Sequence, residues 1–198
     1  MFDINRCNKI LSRFSDRIVS AEDVADALKL GSERVFKKGE LILGMGEKMT
    51  KVYFITKGIG RSYYVDSDGN DVTKSFLLEY NFCVSESFFT SAPSNQIFEA
   101  IEKMEVIEFC AEEFKRFMLS NPNLKEIYIQ MLEQTIVYKM RRESAFQLES
   151  ATERYLNFKK QFPTLENRVR QSYIASYLGM TPVSLSRIRR ALREDFKK

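Results

Sequence analysis

Four arginines lie close together near the C-terminal end of the chain, at positions 187, 189, 190 and 193, and no acidic residue occurs between Glu166 and Glu194. A guanidinium group is permanently charged and donates paired hydrogen bonds, which suits phosphate oxygens and the O6 and N7 acceptors of guanine. Such side chains bind a nucleic acid well only when a rigid element presents them on one face. The residues around them therefore have to supply that element.

Residues 170–192 predict two short helices joined by a tight turn. Apolar residues recur at helical spacing in both segments: Ile174, Leu178, Leu185 and Ile188. Ala175 is small where the helices would cross, and Gly179 suits a turn that needs a positive φ. Thr181 can cap the second helix, and Pro182 is tolerated at its first position. This combination is the pattern of a helix-turn-helix motif.

The second helix predicts a set of DNA-contacting residues that helix geometry turns away from the apolar side: Thr181, Val183, Ser184, Arg187 and Arg190. Arg187 is expected to read guanine, and Val183 a thymine methyl group, while Ser184 would contact a base or a phosphate. Arg190 is expected to contact phosphates, together with the basic residues that follow: Arg193, Lys197 and Lys198. The alternative is an ordinary helical hairpin with solvated arginines, and for Arg189 the two interpretations are evenly matched.

The distribution of charge agrees with a nucleic-acid partner. Residues 151–198 hold eleven Lys and Arg against four Asp and Glu, a net charge of +7, whereas residues 1–150 hold twenty against twenty-three, a net charge of −3. A basic segment on a slightly acidic body suits sequence-independent contacts to DNA phosphates. We predict three parts: a domain at 1–120, a long helix at 121–150 and a DNA-binding domain at 151–198.

Composition argues against several other classes of protein. The chain has no histidine, which removes His-based acid–base catalysis and imidazole ligation of a metal or haem. Its three cysteines, Cys7, Cys83 and Cys110, are scattered, so structural or buried thiols are expected, and a disulfide framework, a zinc site or an iron–sulfur cluster is not. No apolar run is long enough for a membrane span or a signal peptide. We expect a cytoplasmic protein that is not an enzyme and does not bind membranes.

The middle of the chain predicts short antiparallel strands. The runs at 51–58, 60–66 and 71–80 are rich in β-forming residues, a turn signal lies at 68–70, and 97–109 supplies two further strands. Residues 2–30 predict one or two helices, the second starting at Ser20. The fold class is α+β, with an antiparallel sandwich, jelly roll or barrel before the C-terminal helices.

A long helix is predicted to start at Asn121-Pro122 and to run to about Ser150 without a Gly or Pro. It carries two apolar stripes, one with Leu124, Tyr128, Met131, Thr135 and Tyr138 and one with Ile129, Leu132, Ile136 and Met140. Two stripes need two partners, so one is expected on the β-domain and the other on the helix of a second copy. A single buried helix in a monomer is the alternative.

Glycines and charges in the β-region have a recognisable spacing, namely Lys38-Gly39-Glu40, Gly46-Glu47, Phe54-Ile55 and Gly58. With the long helix and the 170–192 motif, they resemble the cyclic AMP receptor/fumarate-nitrate regulator (Crp/Fnr) superfamily of bacterial transcription factors. The resemblance implies a cyclic-nucleotide-binding-like β-roll, a dimerisation helix and a helix-turn-helix domain. It also implies a homodimer on palindromic double-stranded DNA, with RNA polymerase as a further candidate partner.

Two departures from the superfamily concern the DNA-binding part. Pro182 and Val183 replace an arginine and a glutamate that the resemblance leads one to expect, so a different target sequence is predicted. The sequence stops six residues after Leu192, so the β-hairpin wing is expected to be missing or shortened.

The resemblance also implies a pocket in which a Glu binds ribose and an Arg-Ser/Thr pair binds the cyclic phosphate. The matching stretch, 81–100, offers four candidate pocket residues: Glu86, Ser87, Asn95 and Gln96. Glu86 stands at the glutamate position, but Asn95 or Gln96 stands at the arginine position. Neither is charged, so the charge-assisted contact to phosphate is missing. Cyclic AMP is not expected, no cofactor is predicted, and a different small molecule, a protein partner or no effector all stay open.

Two other functions are kept as alternatives. One is a cyclic-nucleotide-responsive transcription regulator with a divergent pocket. The other is a β-barrel enzyme of the cupin type, against which the lack of histidine weighs heavily, because its usual metal site depends on imidazole ligands.

Overall fold

The computed structural model describes residues 17–195 of the chain. The helix predicted before residue 17, together with Cys7, Lys197 and Lys198, falls outside the described residues. The chain divides into two compact units. The N-terminal unit holds the residues up to Arg61 together with Phe76–Tyr138, and the C-terminal unit holds Ser62–Ser75 with the residues from Lys139 onward. The predicted domain limits at 120 and 150 remain a prediction.

The elements follow the predicted order of a β-region and then helices. The strands are β1 (Gly31–Phe36), β2 (Leu41–Leu43), β3 (Lys51–Lys57), β4 (Gly60–Val65), β5 (Asp71–Leu77), β6 (Phe82–Cys83), β7 (Ile97–Ala100) and β8 (Met104–Cys110). The α-helices are α1 (Ala21–Leu30), α2 (Ser87–Thr90), α3 (Ala111–Met118), α4 (Pro122–Leu148), α5 (Ala151–Gln161), α6 (Gln171–Tyr177) and α7 (Pro182–Asp195).

The strands form two four-stranded sheets, in the orders β1-β8-β3-β6 and β2-β7-β4-β5. The paired strands run antiparallel. In the first sheet β8 lies between β1 and β3, and Phe109 of β8 is opposite Gly31 of β1 on one side and Val52 of β3 on the other. The predicted antiparallel β-roll is thus confirmed. The strand predicted at 71–80 ends earlier, at Leu77, because Tyr80 adopts a positive φ of 66° in the turn that follows.

One hydrophobic core holds the N-terminal unit together. The inward residues of β3 and β8 are completely or nearly completely buried, among them Val52, Ile55 and Met104. Helix α1 begins at the predicted cap, where the Ser20 hydroxyl accepts a hydrogen bond from the Asp23 amide at 3.0 Å. Val24 on α1 then packs into this core.

The long helix α4 follows its two predicted stripes only in its first half, since Thr135 of the first stripe is exposed. Asn121 caps it by accepting a hydrogen bond from the Leu124 amide at 2.9 Å, and its 27 residues span about 40 Å. The first stripe packs inward at its start, since Leu124 is buried and Tyr128 and Met131 lie against the core of the N-terminal unit. On the second stripe, Ile136 is 58% exposed and Met140 is 63% exposed.

The helices of the C-terminal unit enclose a small core of their own. A capping box starts α5, with Ser150 and Glu153 bonding each other's backbone amides. Phe158, Phe162 and Tyr177 then contact one another in tilted and edge-on arrangements, with ring centroids 5.4 to 6.2 Å apart. This aromatic cluster holds α5 against α6.

Within residues 17–195, no helix is long and apolar enough to cross a membrane. The same residues contain no cluster of three or more Cys, Asp or Glu side chains that could hold a metal ion. Cys83 and Cys110 are free thiols, as their spacing predicts, and burial raises the pKa of the Cys83 thiol. A buried thiol held in the protonated form is a poor nucleophile, so Cys83 acts as a core residue.

Candidate functional site

The predicted turn between α6 and α7 is built by local hydrogen bonds. Gly179 has a φ of +66°, and the Met180 amide donates to the Ala175 carbonyl at 3.0 Å. Helix α7 then starts at Pro182, where the Thr181 hydroxyl accepts a hydrogen bond from the Ser184 amide at 3.1 Å. Each of these residues has the conformation or contact that its type favours, so the start of α7 is well defined.

Helix α7 turns one face inward and the other to solvent. Leu185 is only 1% exposed, whereas Val183 is 60% exposed and Thr181, Arg187 and Arg190 are exposed as well. Ser184 is half-buried, and its hydroxyl lies 2.9 Å from that of Thr181. The five predicted DNA-contacting residues therefore lie at the start or on the outer side of α7, together with the exposed Ser186, which is not among the predicted residues.

Arg189 has a different role from its neighbours. Its Nε lies 3.0 Å from a carboxylate oxygen of Glu166, and the hydroxyl of the buried Tyr155 donates to the same oxygen at 2.6 Å. Both charged side chains are less than one-fifth exposed. Arg189 thus fastens α7 to α5 and the 3-10 turn Leu165–Asn167, and it is neither a solvated charge nor part of the outer basic face.

This network makes the stability of the C-terminal unit sensitive to alkaline pH. Burial and the hydrogen bond to Glu166 raise the pKa of Tyr155 to about 12 from its ordinary value of 10.0. Unfolded chains therefore lose the phenolic proton first, and stability falls as the pH rises from 10 to 12. In Tyr155→Phe, stability measured by urea unfolding at each pH is expected to fall less steeply over this range. An unchanged pH profile would contradict the assigned role.

Two arginines from other helices hold the end of α6. Arg142 on α4 donates to the Tyr177 carbonyl at 2.8 Å, and Arg154 on α5 donates to the Leu178 carbonyl at 3.0 Å. The last carbonyls of a helix lack partners within it, so these charged donors satisfy groups that would otherwise be unpaired. The guanidinium of Arg142 also lies 4.4 Å from the Tyr177 ring centroid, in a cation–π contact.

The same region of α4 fixes the turn itself. A Cβ atom added to Gly179 would lie 2.6 Å from Cε1 of Phe146, so the turn packs closely on this ring, which would have to shift for any larger residue. Arg142 and Arg154 flank the ring, with their guanidinium carbons 5.1 and 5.3 Å from its centroid. Sequence periodicity missed the contacts that these helices make with the end of α6 and with the turn, because the partners lie 24 to 35 positions apart.

A β-hairpin within the C-terminal unit also contacts α6. The Thr73 amide donates to the Ser176 hydroxyl at 2.9 Å, and this hydroxyl donates to the Asp71 carbonyl at 3.3 Å. Ser176 therefore satisfies two backbone groups of β5. Helix α6 is thus held by α4, by α5 and by the hairpin, and it forms a rigid support for α7.

The candidate pocket residues lie together in the N-terminal unit, but they satisfy one another. The Gln96 side-chain amide donates to the Glu86 carboxylate, and the Asn95 backbone amide donates to the same carboxylate at 3.3 Å. Ser87 is turned away from them, since its hydroxyl accepts from the Met49 amide at 3.0 Å. Gln96 is buried, whereas the side chain of Asn95 is exposed.

This arrangement gives a phosphate no charged partner among the four candidate residues. Gln96 occupies the buried position opposite Glu86, and its amide is neutral. The Glu86 carboxylate would repel an anion once Gln96 no longer covered it. These four residues can therefore form hydrogen bonds to a neutral group, but they cannot neutralise the charge of a cyclic phosphate.

The fold and the β-region both have recognisable relatives. Residues 33–121 match the family model of the cyclic nucleotide-binding domain. The structure is similar to FixK2 from Bradyrhizobium japonicum, with a TM-score of 0.73 and 20% identity over 83% of this chain and 85% of that one. It is also similar to CLP of Xanthomonas campestris, with a TM-score of 0.70 and 14% identity over 89% of this chain and 93% of that one.

A third solved structure is similar in fold. The catabolite activator protein of Thermus thermophilus matches with a TM-score of 0.57 and 18% identity over 89% of this chain and 85% of that one. No curated protein is significantly similar in sequence. The resemblance to the Crp/Fnr superfamily is confirmed at the level of the fold: residues 33–121 match the cyclic nucleotide-binding domain, and the chain has the fold of these solved structures.

Proposed function

We propose that this protein is a sequence-specific DNA-binding transcription regulator. The observation that carries the proposal is the outer face of α7, which presents Arg187, Arg190 and Arg193 to solvent while Leu185 anchors the helix inside. The major groove admits an α-helix, and arginines on its outer face suit guanine edges and phosphates. CLP is described as a c-di-GMP responsive global regulator, which supports regulation as the function of this fold.

The roles of the exposed residues follow from their positions on α7. Thr181, Val183, Ser184 and Arg187 lie in its first two turns, where a recognition helix contacts base edges. Arg187 reads guanine and Val183 meets a thymine methyl group. Arg190 forms an exposed ion pair with Glu194 at 2.9 Å, which a phosphate can replace at small cost, because exposed ion pairs are weak.

The protein acts as a homodimer that pairs through α4. Ile129, Ile136, Val137 and Met140 are exposed on this helix, and so many apolar side chains on one element favour a partner surface. A second copy supplies the matching stripe, as in a coiled coil. A two-fold axis then presents two α7 helices to half-sites about 34 Å apart on palindromic DNA.

Such a regulator works where the bacterial chromosome lies, which places it in the cytoplasm and makes RNA polymerase a candidate partner. Selection of bound duplexes from a random DNA library tests the function. A palindromic motif with half-sites one helical turn apart is expected, and sedimentation should give a dimer. The variant carrying Ile136→Glu and Met140→Glu serves as a control that loses the dimer and the palindrome. Failure of the folded protein to bind any duplex at low salt would overturn the proposal.

Cyclic AMP is not its effector. Because neutral Gln96 covers Glu86, isothermal titration of the protein with cyclic AMP is expected to give no binding heat at micromolar nucleotide. Gln96→Arg places a cation beside Glu86 and serves as the comparison variant. Micromolar binding to the unaltered protein would favour the alternative function, a cyclic-nucleotide-responsive regulator with a divergent pocket.

A further inference from the structure

A cavity of about 100 Å³ lies in the N-terminal unit, between α1, α3, the start of α4 and the sheet that contains β3, β6 and β8. Its walls are apolar and rich in phenylalanine: Phe54, Phe82, Phe109, Phe114 and Phe117. None of the candidate pocket residues of the stretch 81–100 lines it. The cavity is therefore distinct from the position at which the superfamily's cyclic nucleotide would bind.

The single polar side chain among the described lining residues is already satisfied. Asp23 accepts hydrogen bonds from the Ser20 hydroxyl at 2.8 Å and from the Asn121 side-chain amide at 3.0 Å. Among the described residues that line the cavity, no other side chain carries a polar group that could orient a charged or hydrogen-bonding ligand. The chemistry of the walls thus selects an uncharged, apolar molecule.

The size of the cavity sets the size of such a molecule. Protein interiors are close-packed, and voids larger than a water molecule are few. An apolar cavity of roughly 150 Å³ stays dry and binds benzene, so a cavity of about 100 Å³ takes at most one molecule of about this size. Water gains little there, since it would find no free polar partner.

One wall of the cavity belongs to α4. Leu124 and Ile127 are buried in it, and Met131 lies one turn further along. The same helix carries Arg142 and Phe146, which hold the end of α6 and the turn at Gly179. A molecule in the cavity thus contacts α4, the same helix that holds the end of α6 and the turn before α7.

We propose that this cavity is a binding site for a small, uncharged, apolar molecule, aromatic or branched aliphatic, and that its occupancy changes the affinity of the protein for DNA. The binding site stands on the geometry and chemistry of the cavity alone. The regulatory consequence rests on the proposed function. It requires the ligand to bind two arrangements of α4 with different affinity.

Toluene is a suitable probe, with benzoate as its charged counterpart. In full-length protein labelled at the methionine methyl groups, toluene is expected to shift the NMR signals of Met118 and Met131, which line the cavity, and not that of the exposed Met45. It is also expected to raise the melting temperature, whereas benzoate does neither. Absence of the two methyl shifts, or equal shifts at Met45, would overturn the site.

Two substitutions on α1 form a matched pair. Ala27→Leu fills the cavity from a half-buried position and is expected to abolish the toluene shifts, while Ala25→Leu adds the same atoms at an exposed position outside the cavity and is expected to leave them intact. Melting temperatures without toluene verify that both variants fold. Toluene binding that survives in Ala27→Leu would overturn the site.

DNA affinity is measured separately, by fluorescence anisotropy on a selected duplex with and without toluene. A change of about five-fold or more is expected, in the range of ordinary allosteric couplings. Bound toluene with unchanged DNA affinity would overturn the regulatory role. A protein that binds toluene but no duplex at all would instead overturn the proposed function, so the two failures are distinguishable.

Discussion

Replacing Gly179 by alanine is expected to lower the free energy of unfolding of the C-terminal unit by about 1–3 kcal/mol. Most of this loss, about 1–2 kcal/mol, is the cost of a left-handed backbone for a residue with a Cβ, since Gly179 has a φ of +66°. The rest comes from Phe146: the new Cβ would lie 2.6 Å from its Cε1, so this partly exposed ring has to move and give up its contacts with Arg142 and Arg154. Hydrogen exchange of the amides of α6 and α7 measures the loss.

Gly69 provides the matched control for this prediction. It lies in the same unit and has a φ of +83°, but a Cβ added there would meet no heavy atom within 4 Å. Gly69→Ala is therefore expected to cost only the backbone part. Adding Phe146→Ala to Gly179→Ala should remove the overlap, although it also removes ring packing of its own. Equal losses in the two glycine variants would contradict the packing of the turn on Phe146.

Arg187→Ala is expected to relax base preference and to weaken binding to the preferred duplex by about 1–3 kcal/mol, a loss of about 5- to 150-fold. A guanidinium that contacts guanine with two hydrogen bonds discriminates against other bases, and alanine makes neither bond. Repeating the duplex selection with the variant measures the change in preference. An unchanged motif would remove Arg187 from the reading role.

Arg193 is the comparison residue for this test. It is exposed on the same helix but lies further from the first turns, so it is expected to contact phosphates. Arg193→Ala should weaken binding to all duplexes alike and lower the slope of log affinity against log salt by about one. Arg189 is unsuitable as a control, because its ion pair with Glu166 is part of the fold.

The contacts around α6 suggest how a signal could reach DNA. Arg142 joins α4 to the end of α6, and Arg154 joins α5 to the next residue along. The end of α6 is therefore expected to move together with α4 and α5. A change in the position or pairing of α4 would then alter the spacing of the two recognition helices in the proposed dimer, which decides whether both half-sites are engaged.

The strands and helices are predictable because their signals are local. Asn121 and Pro122 mark the start of α4, Ser20 the start of α1, and Gly179 the turn before α7, and each has the predicted conformation. The sequence predicts the end of α4 at about Ser150, whereas the helix ends at Leu148, since Ser150 is taken up as the cap of α5. Caps and turns involve neighbours in sequence, so residue type alone identifies them.

The outer face of α7 is predictable for the same reason. A regular helix with Leu185 on its inner side must turn Val183 and Arg187 outward, and the exposed fractions agree. The sequence also predicts that the candidate pocket lacks a positive charge, because Asn95 and Gln96 are neutral. The pairing of Gln96 with Glu86 is not, because it depends on how the chain between them folds back.

The sequence by itself determined which elements form, their order, and the charge that the last helix carries, because periodicity, caps and composition act over a few residues. Only the tertiary structure decided that Arg189 holds Glu166, that Phe146 closes on Gly179, and that an apolar cavity remains beside α4. These outcomes depend on close packing between segments distant in sequence, where a shift of about one ångström decides between contact, overlap and empty space.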